Sequence, residues 1–505
     1  MPDKCDPIRS KLHDWEVELG NTERFLRPEP DDPHPLKPHA NPEWSALASS
    51  IAKIRLALQR CEESLVTWTV TGAVFVGSLE IDAAAMQFMK ARTIRAMSVA
   101  IAREGTLLAN RGYTWAEPGY PITQPDTLFR VASVSKMFTC AAIDRLVTTG
   151  ALNLTTPAFA FLGITGRLLP DQVPDPDIAK ITVGNLALEK SGLQHDFGVD
   201  FRAIASRLGQ GVTPTRTQLV QYLYGEPLVA RPGSDAVNYS NSAFTVLTSI
   251  VEKASGRSFI DYLRDAVVTP FHINDVHVGV TAVNGRIPNE VSSYDDPGFS
   301  PSQIDLAPNA IAPNAYGGTF ALENGEGAGG LIMSTGTAAR FLATHQVYGI
   351  GPRKPGLPWA ARYGNLSGTG AAAVSRPDGI DFAYAFNHLV SDPDHDALVT
   401  RINAVLDHHT RVQNSGVFAS IQAFAVGVVT FVQGVFGLRR PDDVDFAFAF
   451  NLAVDHSDHA LVERINAILD RNTMVQSSSV FASIREFLVK LVTSVQRVYG
   501  SRREP

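Results

Sequence analysis

The sequence predicts an α+β fold in which an antiparallel sheet is flanked by helices and a helical subdomain separates distant strands. The segment MSVAIAREGTLLANRGYTWA indicates two strands around a turn at 103–105, and a helical segment from Ile81 precedes it. Strand patterns return near 361–387, while helical and irregular stretches fill 183–275. Strands on both sides of a helical region indicate one sheet that is closed by distant parts of the chain.

Length and composition are those of a globular chain with a large core. The 505 residues are 45% hydrophobic and 19% charged, and a prior of about 150 residues per domain suggests roughly two to four units. The formal net charge of −7 argues against nucleic acid as a partner. Three cysteines are too few for a disulfide framework.

Membrane and export signals are absent from the sequence pattern. No apolar run reaches the roughly 18 residues of a membrane span, and the nearest one, 423–437, is interrupted by Gln433. The N-terminus lacks a basic segment followed by an apolar one, so the default expectation is a cytoplasmic protein. An export route that is not encoded in this chain stays open.

Residues 1–65 are expected to form a helical hairpin. Apolar residues recur at helical spacing on both sides of the proline-rich loop 27–43. In an antiparallel hairpin Cys5 and Cys61 would lie at the same end, because the two helices have nearly equal reach. A disulfide between them and two separate thiols in a reducing compartment are both open alternatives.

The C-terminal region, 376–505, contains a duplication. RPDGIDFAYAFN at 376–387 recurs as RPDDVDFAFAFN at 440–451, and the helical segments that follow also match. Each unit, 376–437 and 438–505, is expected to form one strand followed by helices. One copy would complete the main sheet while the other packs outside it. Alternatively, the spare strand would pair with another sheet edge and join copies of the chain into a homo-oligomer.

The segment LFRVASVSKMFTCAAIDRL contains a Ser-x-x-Lys motif where a helix begins. Ser133 and Lys136 share one helix face, and Ser135 lies off it. A capping serine beside a solvated lysine is one interpretation, but the helix dipole disfavours a cation in the first turn. The other interpretation is a nucleophilic serine that the lysine activates, at a position where the helix N-terminus stabilises developing negative charge.

A second polar motif, Tyr239-Ser240-Asn241, begins another helical segment. A tyrosine can shuttle protons if a neighbouring ammonium lowers its pKa from about 10. Asn241 can donate to a carbonyl or hold a lysine. Taken alone, the motif is better explained by a buried tyrosine and a polar helix cap.

The order of several motifs resembles the serine β-lactamase and penicillin-binding-protein family. The motifs, in chain order, are LFRVASVSKMF, ITVGNLALEKSGL, PGSDAVNYSNSAFTVL, GAGGLIMS and YGNLSGTGAAAVSRPDG. The resemblance covers roughly 81–410 and looks closest to the branch with class C β-lactamases, D-alanyl-D-alanine carboxypeptidases, D-aminopeptidases and family VIII-type esterases. The separation of the first two motifs, 239 − 133 = 106 residues, is similar to the family's.

This resemblance implies a role for each matching residue. Ser133 would form the acyl-enzyme, and Lys136 would accept its proton or hold the charge of the site. Tyr239 would act as general base and acid, and Asn241 would contact the substrate and the lysine. The backbone N–H groups of Ser133 and Asn365 would form an oxyanion hole, worth about 3 kcal/mol per donor. The resemblance implies neither a cofactor nor a metal.

The third motif departs from the family pattern. Arg362-Tyr363-Gly364 replaces the Lys-Thr-Gly or His-x-Gly of the edge strand. Gly364 fits a strand that must approach the substrate closely, and Arg362 keeps a positive charge that would bind a substrate carboxylate as a broad fork. The missing Lys or His and the missing Thr argue against efficient β-lactam hydrolysis more than against ester or amide hydrolysis.

Other histidines are interpreted as structural or solvated. His195 follows the Ser-Gly-Leu motif and is expected to be a surface histidine. The acidic and histidine residues at 394–396 and 455–459 are expected to form solvated turns and not a metal site.

The sequence therefore predicts a serine hydrolase that acts through an acyl-enzyme on small esters or on D-amino-acid peptides and amides. The alternative is a binding or assembly protein that keeps the β-lactamase fold with weak or no catalysis. The altered third motif, the N-terminal hairpin and the duplicated C-terminal region would suit this alternative.

Overall fold

The computed structural model describes residues 67–72, 78–196, 201–354 and 358–414, with short helical pieces within 7–17 and 50–54. Most of the predicted hairpin 1–65 with its Cys5–Cys61 pair, the apolar run 423–437 and the repeat unit 438–505 lie outside the described residues. Within the described part, no helix has the length and apolar character needed to cross a membrane.

Eleven strands are present in the described residues. They are β1 (Thr67–Thr71), β2 (Ala96–Arg103), β3 (Thr106–Ala116), β4 (Phe129–Arg130), β5 (His277–Val278), β6 (Phe299–Pro301), β7 (Ile311–Pro313), β8 (Leu331–Met333), β9 (Ala360–Leu366), β10 (Thr369–Ser375) and β11 (Ile380–Phe386). Six of them form an antiparallel sheet in the order β1-β3-β2-β11-β10-β9. Distant parts of the chain therefore close one sheet, as predicted.

The first hairpin of this sheet shows how local sequence fixes a turn. Glu104 and Gly105 connect β2 to β3 with φ values of 49° and 80°. Two consecutive left-handed residues are typical of the two-residue turns whose twist matches that of the strands. The strand pair and its turn are confirmed.

Ten α-helices occur in the described residues between 67 and 414. They are α1 (Ser78–Ala91), α2 (Ser135–Thr148), α3 (Ala158–Leu162), α4 (Val183–Ala187), α5 (Phe201–Arg207), α6 (Arg216–Tyr224), α7 (Asn241–Ser255), α8 (Phe259–Tyr262), α9 (Thr335–Phe341) and α10 (Asp392–Asn414). Helices α1 and α10 pack on one face of the sheet, and α2, α7 and α9 belong to the larger core on the other face. The predicted α+β class is confirmed.

Strand β11 explains why the two faces pack differently. Phe382, Tyr384 and Phe386 join the core under α1 and α10, whereas Ala383 and Ala385 join the larger helical core. The alternation follows from the two-residue period of a strand. Alanines on one face let the helical side approach the sheet closely, and aromatic rings fill the space under α1 and α10. The first repeat unit thus supplies a strand between β2 and β10 and a helix that covers it.

Candidate active site

Ser133 lies in a single 3₁₀ turn, Ala132–Val134, which leads directly into α2 and is called the serine turn below. Neither serine of this segment caps the helix, because no side chain caps the start of the turn or of α2. The Ser135 hydroxyl instead accepts a hydrogen bond from the Leu331 backbone N–H at 3.2 Å. The capping interpretation is therefore wrong for Ser133, whose hydroxyl faces other partners.

The residue before the serine has an unusual backbone. Ala132 has a φ of 45°, in the left-handed region that side chains other than glycine rarely adopt. Such strain persists only where the surrounding structure holds it, and it concentrates at functional sites. No local sequence signal marks Ala132, since alanine gives no hint of a left-handed position.

Lys136 is fully buried beside Ser133 and explains the cation in the first turn of α2. Its Nζ atom lies 2.9 Å from Ser133 Oγ, 2.6 Å from Asn241 Oδ1 and 2.6 Å from the Ala328 carbonyl oxygen. Burial, and then the charge of Arg362, hold the pKa of Lys136 well below its usual 10.5. The fold therefore favours the neutral amine.

Tyr239 comes from the start of α7 and meets Ser133 from the other side. Its hydroxyl makes a short hydrogen bond with Ser133 Oγ, and its ring centroid lies 4.8 Å from Lys136 Nζ. Burial raises the pKa of Tyr239 above 10.0, although the bond to Ser133 opposes this shift. A neighbouring ammonium would lower this pKa, but burial is the larger effect and the net shift is upward.

Asn241 connects the lysine to an aspartate–histidine pair that the sequence motifs did not place in the site. Its Nδ2 donates to Asp196 Oδ1 at 2.8 Å, and Asp196 Oδ2 lies 2.7 Å from His195 Nδ1. The Asp196 carboxylate can only accept, so it fixes the amide of Asn241 with Oδ1 towards Lys136. The orientation of the Asn241 amide, and with it the contact to Lys136, therefore depends on Asp196.

His195 is exposed, but it does not stand alone on the surface. Its ring stacks on Tyr239 with centroids 5.3 Å apart, and the hydrogen bond to Asp196 raises its pKa. The carboxyl pKa of Asp196 is lowered, because its bonds to His195 and Asn241 outweigh the opposing effect of burial. The expectation of a surface histidine is confirmed, and His195 in addition lines the wall of the cavity in front of Ser133. Only its position shortly after Ser-Gly-Leu could have hinted at this.

Arg362 lies on β9 but does not reach the site. Its guanidinium is buried with Glu189, with Nη2 and Oε1 2.9 Å apart, and its Nε donates to the Val347 carbonyl oxygen at 3.0 Å. This placement corrects the expectation that Arg362 binds a substrate carboxylate. A sequence pattern cannot reveal the partner, because Glu189 is 173 residues away along the chain.

Gly364 brings the edge strand β9 against the serine turn. A Cβ atom on Gly364 would lie 2.2 Å from the Val131 carbonyl oxygen and 3.1 Å from the Ser133 nitrogen. The first distance is one that no side chain tolerates. The need for glycine is confirmed, but its reason is corrected: the close approach is to the backbone of the serine turn.

Helix α10 holds the Asn365 side chain, on the face of β9 that points away from the serine turn. Asn365 Nδ2 donates to Asp392 Oδ1 at 3.0 Å, and Asn365 Oδ1 lies 2.8 Å from His395 Nε2. His395 is fully buried, its Nδ1 meets the Tyr384 hydroxyl at 2.8 Å, and burial lowers its pKa to about 4. The solvated turn expected at 394–396 is therefore wrong, because these residues form the first turn of α10.

A cavity of about 790 Å³ opens in front of Ser133. Its polar wall includes Asn241, His195 and Asp196, and Asn365 lies at one side. Its apolar wall is formed by Phe201, Val229, Phe320, Leu322 and Leu366. The cavity is large enough for a small organic substrate.

The fold is that of the β-lactamase-related serine hydrolases. The family model described as Beta-lactamase matches residues 81–448, well over half of the 505-residue chain. The chain belongs to this family.

Relatives within the family have different names. The chain is 30% identical over 175 residues to D-alanyl-D-alanine-carboxypeptidase/endopeptidase AmpH of Escherichia coli (strain K12). This match covers 34% of this chain and 42% of the relative. It is 31% identical over 205 residues to Esterase EstB of Burkholderia gladioli, with 39% and 50% covered. The chain thus spans half or less of the length of these relatives. The solved structure of a D-amino acid amidase from Ochrobactrum anthropi SV3 is 17% identical in sequence and superimposes with a TM-score of 0.47. The superposition covers 66% of this chain and 99% of the amidase.

Proposed function

We propose that the protein is a serine hydrolase that cleaves small esters, or D-amino-acid peptides and amides, through an acyl-enzyme on Ser133. The observation that carries the proposal is the surroundings of Ser133 Oγ, which contacts both Lys136 Nζ and the Tyr239 hydroxyl. Membership of the family, and relatives named as an esterase and a carboxypeptidase, support it.

Three oxygen atoms surround Lys136 Nζ, a number that suits an ammonium, but burial and then the charge of Arg362 lower its pKa and favour a neutral amine as the proton acceptor. Asn241 Oδ1 and the Ala328 carbonyl oxygen can only accept, and a neutral amine has two N–H groups to give them. Its lone pair then remains for the Ser133 hydroxyl, 2.9 Å away. We therefore assign the base role to Lys136, while Tyr239, with its raised pKa, stays protonated and donates to Ser133 Oγ.

The reaction then balances without a cofactor. Ser133 Oγ bonds to the substrate carbonyl carbon while its proton moves to Lys136 Nζ. The tetrahedral intermediate expels an alcohol or amine, which takes up that proton through the Tyr239 hydroxyl. Water next attacks the acyl ester, gives a proton to Lys136, and releases the acid as the proton returns to Ser133 Oγ.

The oxyanion of the intermediate would be bound by the backbone N–H groups of Ser133 and Asn365. Among the strands that the structure describes, β9 pairs only with β10, and its other edge faces the serine turn. Leu366 and Thr369 close a two-residue hairpin loop and form a hydrogen-bonded pair. Hydrogen-bonded and non-hydrogen-bonded pairs alternate along antiparallel strands, so the next pair, which contains Asn365, is not hydrogen-bonded. The N–H group of Asn365 therefore points away from β10, towards the other edge of β9. The Gly364 contact with the serine turn brings this N–H towards the cavity.

Probe labelling of the full chain tests the proposal. A fluorophosphonate probe should label Ser133, and peptide mapping should locate the label there. Turnover should then be measured with p-nitrophenyl esters, D-amino-acid amides and nitrocefin, each against Ser133→Ala. Label on Ser135, or no label on a folded protein and no turnover above that background, would favour the alternative of a binding or assembly protein.

Gly364→Ala should impair both folding and turnover. The added methyl forces β9 away from the Val131 carbonyl oxygen, so we expect a loss of about 1–3 kcal/mol in the free energy of unfolding. Displacing the Asn365 N–H should also lower kcat by at least about tenfold in the folded fraction. Gly166→Ala is the matched control, because a Cβ there meets nothing within 4 Å. Equal turnover of the two variants would show that β9 takes no part in the site.

Asp196→Ala should lower kcat by about 10–100-fold with a smaller change in KM, because Asn241 then loses the acceptor that orients its amide towards Lys136. The thermal midpoint should change little, since Asp196 is exposed. Asp235→Ala removes an exposed carboxylate from the same region and should leave kcat unchanged. If both variants behave like wild type, Asp196 has no positioning role.

A further inference from the structure

The cationic groups nearest the cavity already have partners. Arg362 is bound to Glu189, and their side chains are only 3% and 9% exposed. The Arg362 guanidinium also stacks on the Tyr348 ring, 4.2 Å from its centroid, so two further contacts, with this ring and with Val347, hold it in place. Arg362 therefore cannot turn towards the cavity without leaving a buried carboxylate unpaired.

The backbone of Glu189 indicates that this pairing is part of the fold. Glu189 has a φ of 56°, in the left-handed region, although it is neither glycine nor asparagine. Its carbonyl oxygen accepts from the Asn238 N–H at 2.6 Å, just before Tyr239. A strained residue stays in place only when its surroundings determine it, and here the surroundings include Arg362 and the loop that leads to Tyr239.

The remaining basic side chains near the cavity also have partners. His195 is matched by Asp196 at 2.7 Å, and Lys136 is buried with three oxygen neighbours. No arginine or lysine is among the described residues that line the cavity.

We propose that the site selects substrates whose leaving group carries no carboxylate, namely neutral esters and amides. The inference rests on the proposed function and names its substrate class. A carboxylate beside the scissile bond would lose hydration without gaining a free cation among the described lining residues, and it would approach Asp196. An uncharged leaving group loses less hydration free energy on entering the cavity, and it gains contacts with the apolar wall.

A pair of isosteric esters tests the proposal on the wild-type enzyme. Hexanoyl esters of 3-hydroxybenzamide and 3-hydroxybenzoate share the acyl group and differ mainly in the charge of the leaving group. After correction for hydroxide-catalysed hydrolysis of each ester, kcat/KM should favour the carboxamide by at least about tenfold. A corrected ratio of one or less overturns the proposal. Turnover of neither ester, without label on Ser133, would instead overturn the proposed function.

Glu189→Gln tests the cause of the selectivity. Removing the carboxylate leaves the Arg362 charge uncompensated beside the cavity, so the ratio should move towards the carboxylate ester by at least about fivefold. Asp82→Asn is the matched control, because it breaks an equally buried pair with Arg111, whose side chains are 12% and 7% exposed. An unchanged ratio in folded Glu189→Gln would show that this pair does not set the selectivity. If this variant does not fold, the comparison of the two esters on the wild type decides.

Discussion

Ser133→Ala is expected to lower ester turnover by at least about 10³-fold, whereas Ser135→Ala should stay within about threefold of wild type. Ser133 Oγ contacts Lys136 and Tyr239 and lies at the cavity. Ser135 is fully buried and its hydroxyl is bound to the Leu331 N–H. The two serines thus provide a matched pair within one turn, which separates loss of the nucleophile from local damage.

The measurement is kcat per active site, titrated with the fluorophosphonate probe for wild type and Ser135→Ala. Ser133→Ala should be folded, with an unchanged thermal midpoint within a few degrees, because alanine fits a partly exposed position in the turn. Turnover by folded Ser133→Ala above about one tenth of wild type would assign the reaction to another group.

Local sequence patterns were sufficient for the residues that lie close together on one element. The three-residue spacing of Ser133 and Lys136 already predicts that they touch, and the structure shows this at 2.9 Å. The strands around 103–105 were equally predictable, because turn and strand propensities act over a few residues. The pairing of the serine turn with Tyr239 needed a second motif 106 residues away, and there the order of motifs supplied the information.

Long-range pairing was not predictable from the same patterns. The positive charge of Arg362 suggested a substrate carboxylate as its partner, but the structure places Glu189 there. Nothing in the sequence near Glu189 predicts this contact, because a buried ion pair depends on tertiary packing. The same holds for His395, whose neighbours Asp394 and Asp396 suggested a solvated turn although the ring is buried.

The direction of a pKa shift also depends on packing. The resemblance implies Tyr239 as general base and leaves Lys136 either as the proton acceptor or as the holder of the charge. Burial disfavours the phenolate of Tyr239 and the ammonium of Lys136 alike. These directions support the proposed assignment of the base role to Lys136, which can be tested on the lysine itself.

Lys136→Met is expected to lower kcat by at least about 10³-fold, because Ser133 loses its proton acceptor. Lys136→Arg should be similarly inactive, since arginine keeps the charge but cannot take up a proton at neutral pH. Recovery of turnover in Lys136→Arg would mean that the site needs a positive charge and not a base. Probe labelling of Ser133 should slow in both variants by a similar factor.

The pH dependence of stability gives an independent measurement of the lowered pKa of Lys136. The unfolded lysine titrates near 10.5 and the folded one well below it, so between these values the unfolded state binds more protons. The free energy of unfolding therefore gains a contribution that is fully present above 10.5 and is lost as the pH falls through the folded pKa. This contribution has a slope of at most about 1.4 kcal/mol per pH unit, and Lys136→Met lacks it.

Urea unfolding of wild type and Lys136→Met at a series of pH values gives the difference between their unfolding free energies. This difference should increase in favour of wild type as the pH rises towards 10.5, and flatten above it. The comparison cancels groups that titrate equally in both proteins, while the two acceptors left without a donor in the variant shift the difference by a constant. A difference that stays flat throughout would mean that Lys136 has the same pKa in both states. Lys136 would then be charged at neutral pH and could not accept the proton of Ser133 directly.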